Sequence, residues 1–322
     1  MTTTSPSTPP PAAGSNHPVH GPGADVDIDH LDELDEGPTK KPRLPIGAWV
    51  AGGWMALVIF GGALAPILPI KDPNAQVTNT PELAPGQGGL LLGADANGRD
   101  LLARMIWGAR VSLTIAFTAV ILALIIGGLL GLLAGYYRNW VGNVLASLFD
   151  ILLAIPALVF ALALVSVLKG DPTQQKGGLS GQIILIIAIC LVSIPALARI
   201  TRANTMSWSK REFVMAARAQ GASHRRIIVR EILPNVLPAM LYITLLGIAI
   251  AIVAEGGLAL LGAGVDPPTA TWGNMINDGR VSMEDAPFIM IVPIMGMFFT
   301  VLALNYLGDV VRTRFDVRES AL

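Results

Sequence analysis

Residues 210–235 read KREFVMAARAQGASHRRIIVREILPN, an arginine-rich stretch that lies between two long apolar runs. The stretch lacks the continuous apolar character of a membrane span, and Gly221 interrupts it near its middle. A long basic segment between membrane helices must lie in water, and short cytoplasmic loops carry an excess of Lys and Arg. We therefore predict a cytoplasmic segment, at about residues 202–235, that connects two transmembrane helices.

The composition of the whole chain is that of a membrane protein. Of its 322 residues, 52% are hydrophobic and only 14% are charged, whereas soluble domains carry about 25% charged residues. A transmembrane helix needs about 20 predominantly apolar residues. We predict an all-α, polytopic membrane protein with six transmembrane helices. They are expected at about residues 46–70, 112–137, 149–168, 182–200, 236–261 and 288–311.

The chain divides into segments of different composition. The first is rich in Pro and then in acidic residues, and its shortage of apolar side chains predicts disorder. The predicted segments are a tail at 1–39, a first transmembrane helix with a basic flank at 40–70, an external loop at 71–111, and a core at 112–322 that holds the other five helices.

Flanking charges set the predicted orientation. Lys40, Lys41 and Arg43 precede the first helix, and Arg312 and Arg314 follow the last. Because positive charge accumulates on the cytoplasmic side, and six helices return the chain to its starting side, both termini are predicted to be cytoplasmic.

The 210–235 stretch has features of a mechanical lever. Ala216 and Ala217 offer a low surface on which another protein can dock, and Gly221 permits a sharp bend where a side chain would clash. Such a segment can transmit a push from a soluble motor, or it can rest on anionic lipid headgroups. Physical chemistry alone leaves both readings open. In the first reading an apolar socket of the motor receives Phe213, Ile227 and Ile228, and Arg218, Arg225 and Arg226 surround it with charge.

The same stretch resembles the coupling loop of permease subunits of ATP-binding-cassette importers. Ala216-Ala217, Gly221 and Leu233-Pro234 fall in register with that family's signature. The sequence departs from it at Met215, where the signature has an acid, and at Glu231, where it has isoleucine. The resemblance implies ATPase contacts at Glu212, Phe213, Ala216, Ala217, Arg218, Gly221, Ala222, Arg225, Arg226, Leu233 and Pro234.

Further stretches are similar to one subfamily, the C-type subunits of dipeptide, oligopeptide and nickel importers. They are LGADANGRD at 92–100, a segment from Glu255 to Gly264, and TWGNM at 271–275. The resemblance extends over about residues 45–320 and implies the type I importer permease fold. External-loop or gate candidates on these stretches are Asp95, Gly98, Arg99, Asp100, Glu255 and Trp272.

The resemblance implies a set of partners around this chain. A B-type permease subunit would complete the pore, ATPase subunits would hold ATP and Mg, and a solute-binding protein would deliver cargo from outside. It also implies a multi-pass protein of a prokaryotic cell membrane, with no nucleic-acid partner. Peptides are the expected cargo, with glutathione-type peptides or nickel chelates as alternatives.

Other function classes find little support in the residues. A Gly-x4-Gly-Lys-Ser/Thr nucleotide loop is absent, so the chain is not expected to be an enzyme or to carry a cofactor. The histidines lie outside the predicted spans, Cys190 is the single cysteine, and no metal site is expected. A self-sufficient secondary transporter would need intramembrane carboxylates, for which Glu255 is the main candidate.

Individual residues have open alternatives. Glu255 either serves the transport path, reaches the outer interface, or pairs with Arg280. Trp272 is expected to anchor at the membrane interface, with contact to the solute-binding protein as the alternative. Asp150 is expected near the start of the third helix, where a negative charge suits the helix dipole. His224 is expected to be a surface histidine.

Overall fold

A computed structural model describes residues 45–137, 139–170 and 179–319, with side chains described as far as residue 314. The predicted tail at 1–39 lies outside these residues. The helices follow in chain order as α1 (Ile46–Leu64), α2 (Leu101–Tyr136), α3 (Trp140–Ala154), α4 (Ala157–Lys169), α5 (Gly181–Trp208), α6 (Glu212–Ala219), α7 (His224–Arg226), a π-helical segment (Ile227–Ile232), α8 (Leu233–Leu260), α9 (Trp272–Gly279) and α10 (Phe288–Glu319).

The prediction of an all-α polytopic membrane protein is confirmed. Four helices, α1, α2, α5 and α10, are each long and apolar enough to cross a bilayer, and so is the continuous helix His224–Leu260. Within the described ranges the extended backbone forms only isolated β-bridges, which join Gln76 to Arg99 and Ala94 to Asp100.

The third predicted span is not one straight helix. α3 and α4 reach membrane-spanning length only together, and their axes differ by 91°. Ile155 has an extended backbone, as the residue before a proline prefers, and Pro156 begins α4. The proline thus marks the position of the break, and the single span predicted at 149–168 is two helices.

Several predicted boundaries also differ from the structure: α1 ends at Leu64 rather than residue 70, and α3 begins at Trp140 rather than residue 149. The Asp100 side chain accepts hydrogen bonds from the backbone N–H groups of Leu102 and Ala103, so α2 begins at Leu101 rather than Ser112. The predicted external loop at 71–111 therefore ends about three helical turns earlier. α5 ends at Trp208, eight residues beyond the predicted limit at residue 200.

Close contacts between helices show which helix ends lie together at each end of the protein. Gly47, at the start of α1, lies against Tyr306 of α10, and Gly62, near the end of α1, lies against the backbone of Arg110 in α2. α9 packs against the opening turns of α10, where Gly279 approaches Met290. We call the end that carries α6 the α6 end and the opposite one the α9 end.

The bent α3–α4 pair joins these two ends. Its first residues pack on the end of α2, where Gly142 lies against the carbonyl of Tyr137. At its far end, Lys169 forms an ion pair with Asp266, and Gly181 at the start of α5 also lies against Asp266. The chain thus passes between the two ends six times, as the sequence predicts.

The main helix packing joins α2 to α5. Three glycines of α2, spaced four residues apart, face three carbonyl groups of α5 with the same spacing. A side chain on any of them would collide with the backbone of α5, so the small residues allow the helices to approach closely. The facing pairs are Gly127 with Ile194, Gly131 with Ala198, and Gly135 with Arg202.

Candidate functional site

The 210–235 segment forms a short helix, a tight turn and a second helix at the α6 end. α6 closes with a backbone motif in which the N–H of Gly221 donates to the carbonyl of Arg218 and that of Ala222 to Ala217. Gly221 has φ +79°, the left-handed conformation that this motif requires. A Cβ on Gly221 would meet no atom within 4 Å. Glycine is therefore needed for backbone conformation, and the predicted clash of a side chain is wrong.

A small core fastens α6 to the membrane helices. Val214 is fully buried, and Ala217, one turn further on, is half-buried against the same core. Residues three apart share a helix face, so this face points inward and the rest of α6 points outward. The buried members of this core are Leu132, Tyr136, Val214, Ile227, Ile228, Ile232, Val236 and Met240.

This core corrects one sequence prediction. Ile227 and Ile228 were expected to enter an apolar socket of another protein, but they are buried within this chain. Phe213 is 40% exposed and remains available to a partner. Leu233 is half-buried and Pro234 is exposed.

The outward part of α6 and the turn form one surface, which we call the α6 surface. It carries an aromatic ring, a methionine and arginines, residue types that are enriched at protein–protein interfaces, beside a carboxylate and small residues. Its exposed members are Glu212, Phe213, Met215, Ala216, Arg218, Gly221, Arg225 and Arg226; Ala222 beside them is half-buried.

The helix that follows the turn begins earlier than the predicted fifth span, which was expected to start at about residue 236. α7, the π-helical segment and α8 form one continuous helix from His224 to Leu260. The N–H of Leu233 donates to the carbonyl of Ile228, and the π-helical stretch ends just before Pro234. A proline ring clashes with the carbonyl four residues earlier in a regular α-helix, and the wider π turn relieves that clash. The α6 turn is thus connected rigidly to a transmembrane helix.

An aromatic contact ties this turn to α2. The hydroxyl of Tyr136 lies 2.7 Å from Nδ1 of His224, and the guanidinium of Arg218 lies over the Tyr136 ring at 5.3 Å. His224 is exposed, as predicted. The sequence did not predict its hydrogen bond to Tyr136. The partners are 88 positions apart, and no local pattern connects them.

A buried charge cluster occupies the α9 end. Asp95 and Arg104 are 3% and 2% exposed. Arg99 and Arg104 both contact Asp95. Asp95 Oδ2 lies 2.7 Å from Arg99 Nε and 3.3 Å from Arg104 Nε. The two guanidinium groups also lie 3.5 and 3.7 Å from Asp278 in α9. The cluster therefore fixes the loop after α1 to α9.

Gly98 and Asp100, also predicted as external-loop candidates, shape this loop. Gly98 has φ +70° and lies close to the carbonyl of Thr78, where a side chain would collide. Asp100 begins α2 as its capping residue. Both have structural roles that place Arg99 and Arg104 beside Asp95.

A cavity of about 210 Å³ opens beside the charge cluster. Its wall continues from Arg99 and Arg104 to Lys169, whose amino group donates to the carbonyl of Gly264 at 3.0 Å and pairs with Asp266 at 2.8 Å. Charges of both signs therefore line this cavity at the α9 end.

Glu255 and Trp272 lie within the protein and not at an interface. Glu255 is fully buried, and its Oε2 accepts a hydrogen bond from Ser112 Oγ at 3.1 Å. Ser112 Oγ in turn accepts from the backbone N–H of Trp272, and the Trp272 indole donates to the carbonyl of Met105.

These contacts overturn two predictions. Trp272 is 1% exposed and is not an interfacial anchor. Arg280 is exposed, and the ion pairs of the described residues do not include one between it and Glu255. Glu255 instead links α2, α8 and α9 through Ser112 and the backbone of Trp272.

Asp150 also differs from its predicted place. It lies in the last turns of α3, not near the start of the helix, and its carboxylate is 3.9 Å from Arg199 on α5. Both side chains are about two-thirds exposed. Among the described residues no group of His, Cys, Asp and Glu could hold a metal ion.

An all-helical membrane protein with a short helix and a turn at one end agrees with the ATP-binding-cassette importer permease that the resemblance of residues 210–235 implies. Residues 127–320 match the family model described as "Binding-protein-dependent transport system inner membrane component". The chain belongs to this family.

Named relatives extend over most of the chain. The chain is 39% identical, over 268 residues, to the di/tripeptide transport system permease protein DppC of Pseudomonas aeruginosa, covering 82% of this chain and 85% of that protein. It is 35% identical to the dipeptide transport system permease protein DppC of Alkalihalophilus pseudofirmus, covering 86% of each. It is 39% identical to the glutathione transport system permease protein GsiD of Escherichia coli O157:H7, covering 70% and 71%.

Solved structures show the same fold at low identity. A chain of the MetNI methionine ABC transporter aligns with a TM-score of 0.53 at 17% identity, covering 66% of this chain and 97% of that one. A chain of an amino acid ABC transporter aligns with a TM-score of 0.50 at 16% identity, covering 66% and 94%. The predicted importer permease fold is confirmed.

Proposed function

We propose that this chain is a permease subunit of an ATP-driven importer of short peptides and forms half of the translocation pore. The α6 surface carries this proposal, because it presents a rigid, exposed docking site joined directly to transmembrane helix α8. The names of the relatives support peptides as cargo, since they are a di/tripeptide, a dipeptide and a glutathione permease. Glutathione is itself a tripeptide, so it belongs to the same chemical class.

The α6 end is proposed to face the cytoplasm. Arg211, Arg218, Arg225 and Arg226 are exposed there, and the positive-inside rule assigns such a cluster to the cytoplasmic side. Because the chain passes between its ends six times, both termini are then cytoplasmic in a prokaryotic cell membrane.

Separate ATPase subunits are proposed to dock on the α6 surface and to supply ATP and Mg. The Gly-x4-Gly-Lys-Ser/Thr loop that would let this chain bind ATP by itself is absent from its sequence. A movement of the docked ATPase would be transmitted through the turn at Gly221 to α8. The solute-binding protein is proposed to dock at the α9 end, where the mixed-charge cavity opens.

A B-type permease subunit is proposed to complete the pore. Asp150 and Arg199 are exposed on helices that belong to membrane spans, at 64% and 66% of their side-chain surface. Charges that face hydrocarbon cost about 2.5–3.5 kcal/mol each near the membrane centre. Their exposure supports the proposal that this face lies against a partner subunit or the aqueous path rather than against lipid.

Co-purification with transport tests this function. The chain, co-expressed with its neighbouring genes, should capture an ATPase subunit and support uptake of a radiolabelled dipeptide. Ala216→Trp, which places a large side chain on the α6 surface, should lose both. Ala75→Trp, at an exposed position of the α9 end, is the matched control and should retain ATPase capture. Capture that survives Ala216→Trp unchanged would contradict docking at the α6 surface.

A further inference from the structure

An open groove of about 380 Å³ lies between α1 and α2 near the α9 end. Its lining is apolar except for Arg110 and Thr114. The Thr114 hydroxyl donates to the carbonyl of Arg110 at 2.6 Å, so its hydrogen atom is already used within α2. The guanidinium of Arg110 is therefore the main polar group that the groove presents. The lining residues are Ile59, Gly62, Ala63, Arg110, Leu113, Thr114 and Phe117.

Among the described residues, no acidic side chain forms an ion pair with Arg110. Its guanidinium lies over the Trp107 ring at 5.5 Å, and the ion pairs of the described side chains do not include it. Asp95 and Asp278, two acids of this end, contact Arg99 and Arg104 instead. The groove thus combines an apolar wall with one exposed positive charge.

Arg110 stands at the edge of the hydrocarbon layer. The sequence from Val111 to Tyr137 contains no charged residue, so α2 enters the membrane immediately after Arg110. Helix α1 spans 19 residues, or about 28 Å at 1.5 Å per residue, close to the hydrocarbon thickness of about 30 Å. Gly62, near the end of α1, lies beside the backbone of Arg110, so both helices place the groove at the same depth.

We propose that this groove binds an anionic phospholipid of the surrounding leaflet. The phosphate lies on the Arg110 guanidinium, and one acyl chain follows Leu113 and Phe117 toward the membrane centre. Arginine suits this role because its planar guanidinium donates several hydrogen bonds to phosphate oxygens. The proposal depends on the chain spanning a membrane and is independent of the transported cargo.

The structure favours lipid over a helix of another protein as the occupant. A guanidinium at the membrane boundary meets phosphate groups in every lipid that surrounds it, and an anionic headgroup also compensates its charge. Bringing a helix into the same groove would bury the positive charge against apolar side chains unless that helix carried an acid.

Lipid retention measured by native mass spectrometry tests the proposal. The full chain is reconstituted in nanodiscs that contain equal amounts of phosphatidylglycerol and phosphatidylcholine, and is then released into the mass spectrometer. Wild type should retain one phosphatidylglycerol in preference to phosphatidylcholine. Arg110→Gln should reduce that adduct at least fivefold, and Arg110→Lys should retain more of it than Arg110→Gln. Arg280→Gln, which removes another exposed arginine from the same end, should leave the adduct unchanged.

Three outcomes would overturn the proposal. One is equal phosphatidylglycerol retention in Arg110→Gln and wild type, with thermal unfolding showing that both are folded. Another is displacement of the adduct by millimolar inorganic phosphate, which would assign the site to a free anion. The third is loss of the wild-type adduct when the partner permease is bound, which would assign the groove to a helix of that subunit.

Discussion

The hydroxyl of Tyr136, the last residue of α2, lies 2.7 Å from Nδ1 of His224, the first residue of the helix that follows the α6 turn. This hydrogen bond joins transmembrane helix α2 directly to the helix that follows the α6 turn. The guanidinium of Arg218, from α6 itself, lies over the same Tyr136 ring at 5.3 Å. One tyrosine therefore contacts both sides of the turn at Gly221.

Removing the Tyr136 hydroxyl should weaken the link between ATP hydrolysis and transport. Tyr136→Phe keeps the ring beneath Arg218 but loses a hydrogen bond with a net value of about 1 kcal/mol. We expect the reconstituted importer to hydrolyse more ATP for each dipeptide transported, with unchanged capture of the ATPase. The measurement is the ratio of phosphate released to labelled dipeptide accumulated in proteoliposomes.

Tyr137→Phe is the matched control for this variant. Tyr137 is the next residue and is 40% exposed, and its hydroxyl makes no hydrogen bond among those found in the described residues. Its ratio should equal that of wild type. An unchanged ratio in Tyr136→Phe would show that the bond to His224 does not contribute to coupling.

Two substitutions at Gly221 should distinguish the effect of backbone conformation on ATPase capture from the effect of a bulky side chain on the α6 surface. Its φ of +79° costs a residue with a side chain about 1–2 kcal/mol, and less for Asn, which tolerates the left-handed region. Because the space around Gly221 is open, Gly221→Trp projects its ring outward, onto the α6 surface. We expect Gly221→Trp to abolish ATPase capture and dipeptide uptake while the chain remains in the membrane.

Gly221→Asn is the control that keeps the backbone and adds little bulk. It should retain most ATPase capture and uptake. If Gly221→Asn is as inactive as Gly221→Trp, any side chain at this position is incompatible with docking. If both are active, Gly221 lies outside the docking surface.

The sequence indicates the α6 turn well because its determinants are local. A Schellman-type turn needs only a glycine after a short helix, and Gly221 follows Ala216-Ala217 at the right distance. The early start of α2 also had a local sign, since Asp100 is a preferred capping residue. The helix start was nevertheless predicted too late, because Arg104 and Arg110 make the first turns of α2 too polar for a membrane span.

Other features depend on residues that are distant in sequence. Glu255 and Ser112 are 143 positions apart, and no sequence pattern around either residue predicts their hydrogen bond. Trp272 looked like an interfacial anchor because polar residues flank it. Its burial follows from how α9 folds back onto α2, which only the tertiary structure determines.

Adding one methyl group to Gly131 should destabilise the contact between α2 and α5. A Cβ there would overlap the carbonyl oxygen of Ala198, and overpacking of this kind costs about 1–3 kcal/mol. Gly131→Ala should therefore lower the thermal unfolding temperature of the purified chain, as followed by the loss of helical circular dichroism.

Gly53→Ala is a control for which the opposite sign is expected. Gly53 lies inside α1 with nothing within 4 Å of its Cβ position. Alanine has the higher helix propensity by about 1 kcal/mol, so this variant should be neutral or slightly stabilising. Equal shifts in Gly131→Ala and Gly53→Ala would show that the close α2–α5 approach carries little of the stability.

Neutralising Asp95 should destabilise the α9 end. Asp95 is 3% exposed and contacts Arg104, which is 2% exposed. Removing one partner of a buried ion pair leaves the other charge uncompensated and costs about 3–5 kcal/mol. Asp95→Asn should therefore lower the unfolding temperature of the purified chain and increase hydrogen exchange in α9, because Asp278 alone then faces both arginines. Glu284→Gln, at an exposed position of the same end, should change neither measurement. A fully stable Asp95→Asn would mean that Asp278 suffices to hold both arginines, and that the loop after α1 is fixed to α9 by packing rather than by charge.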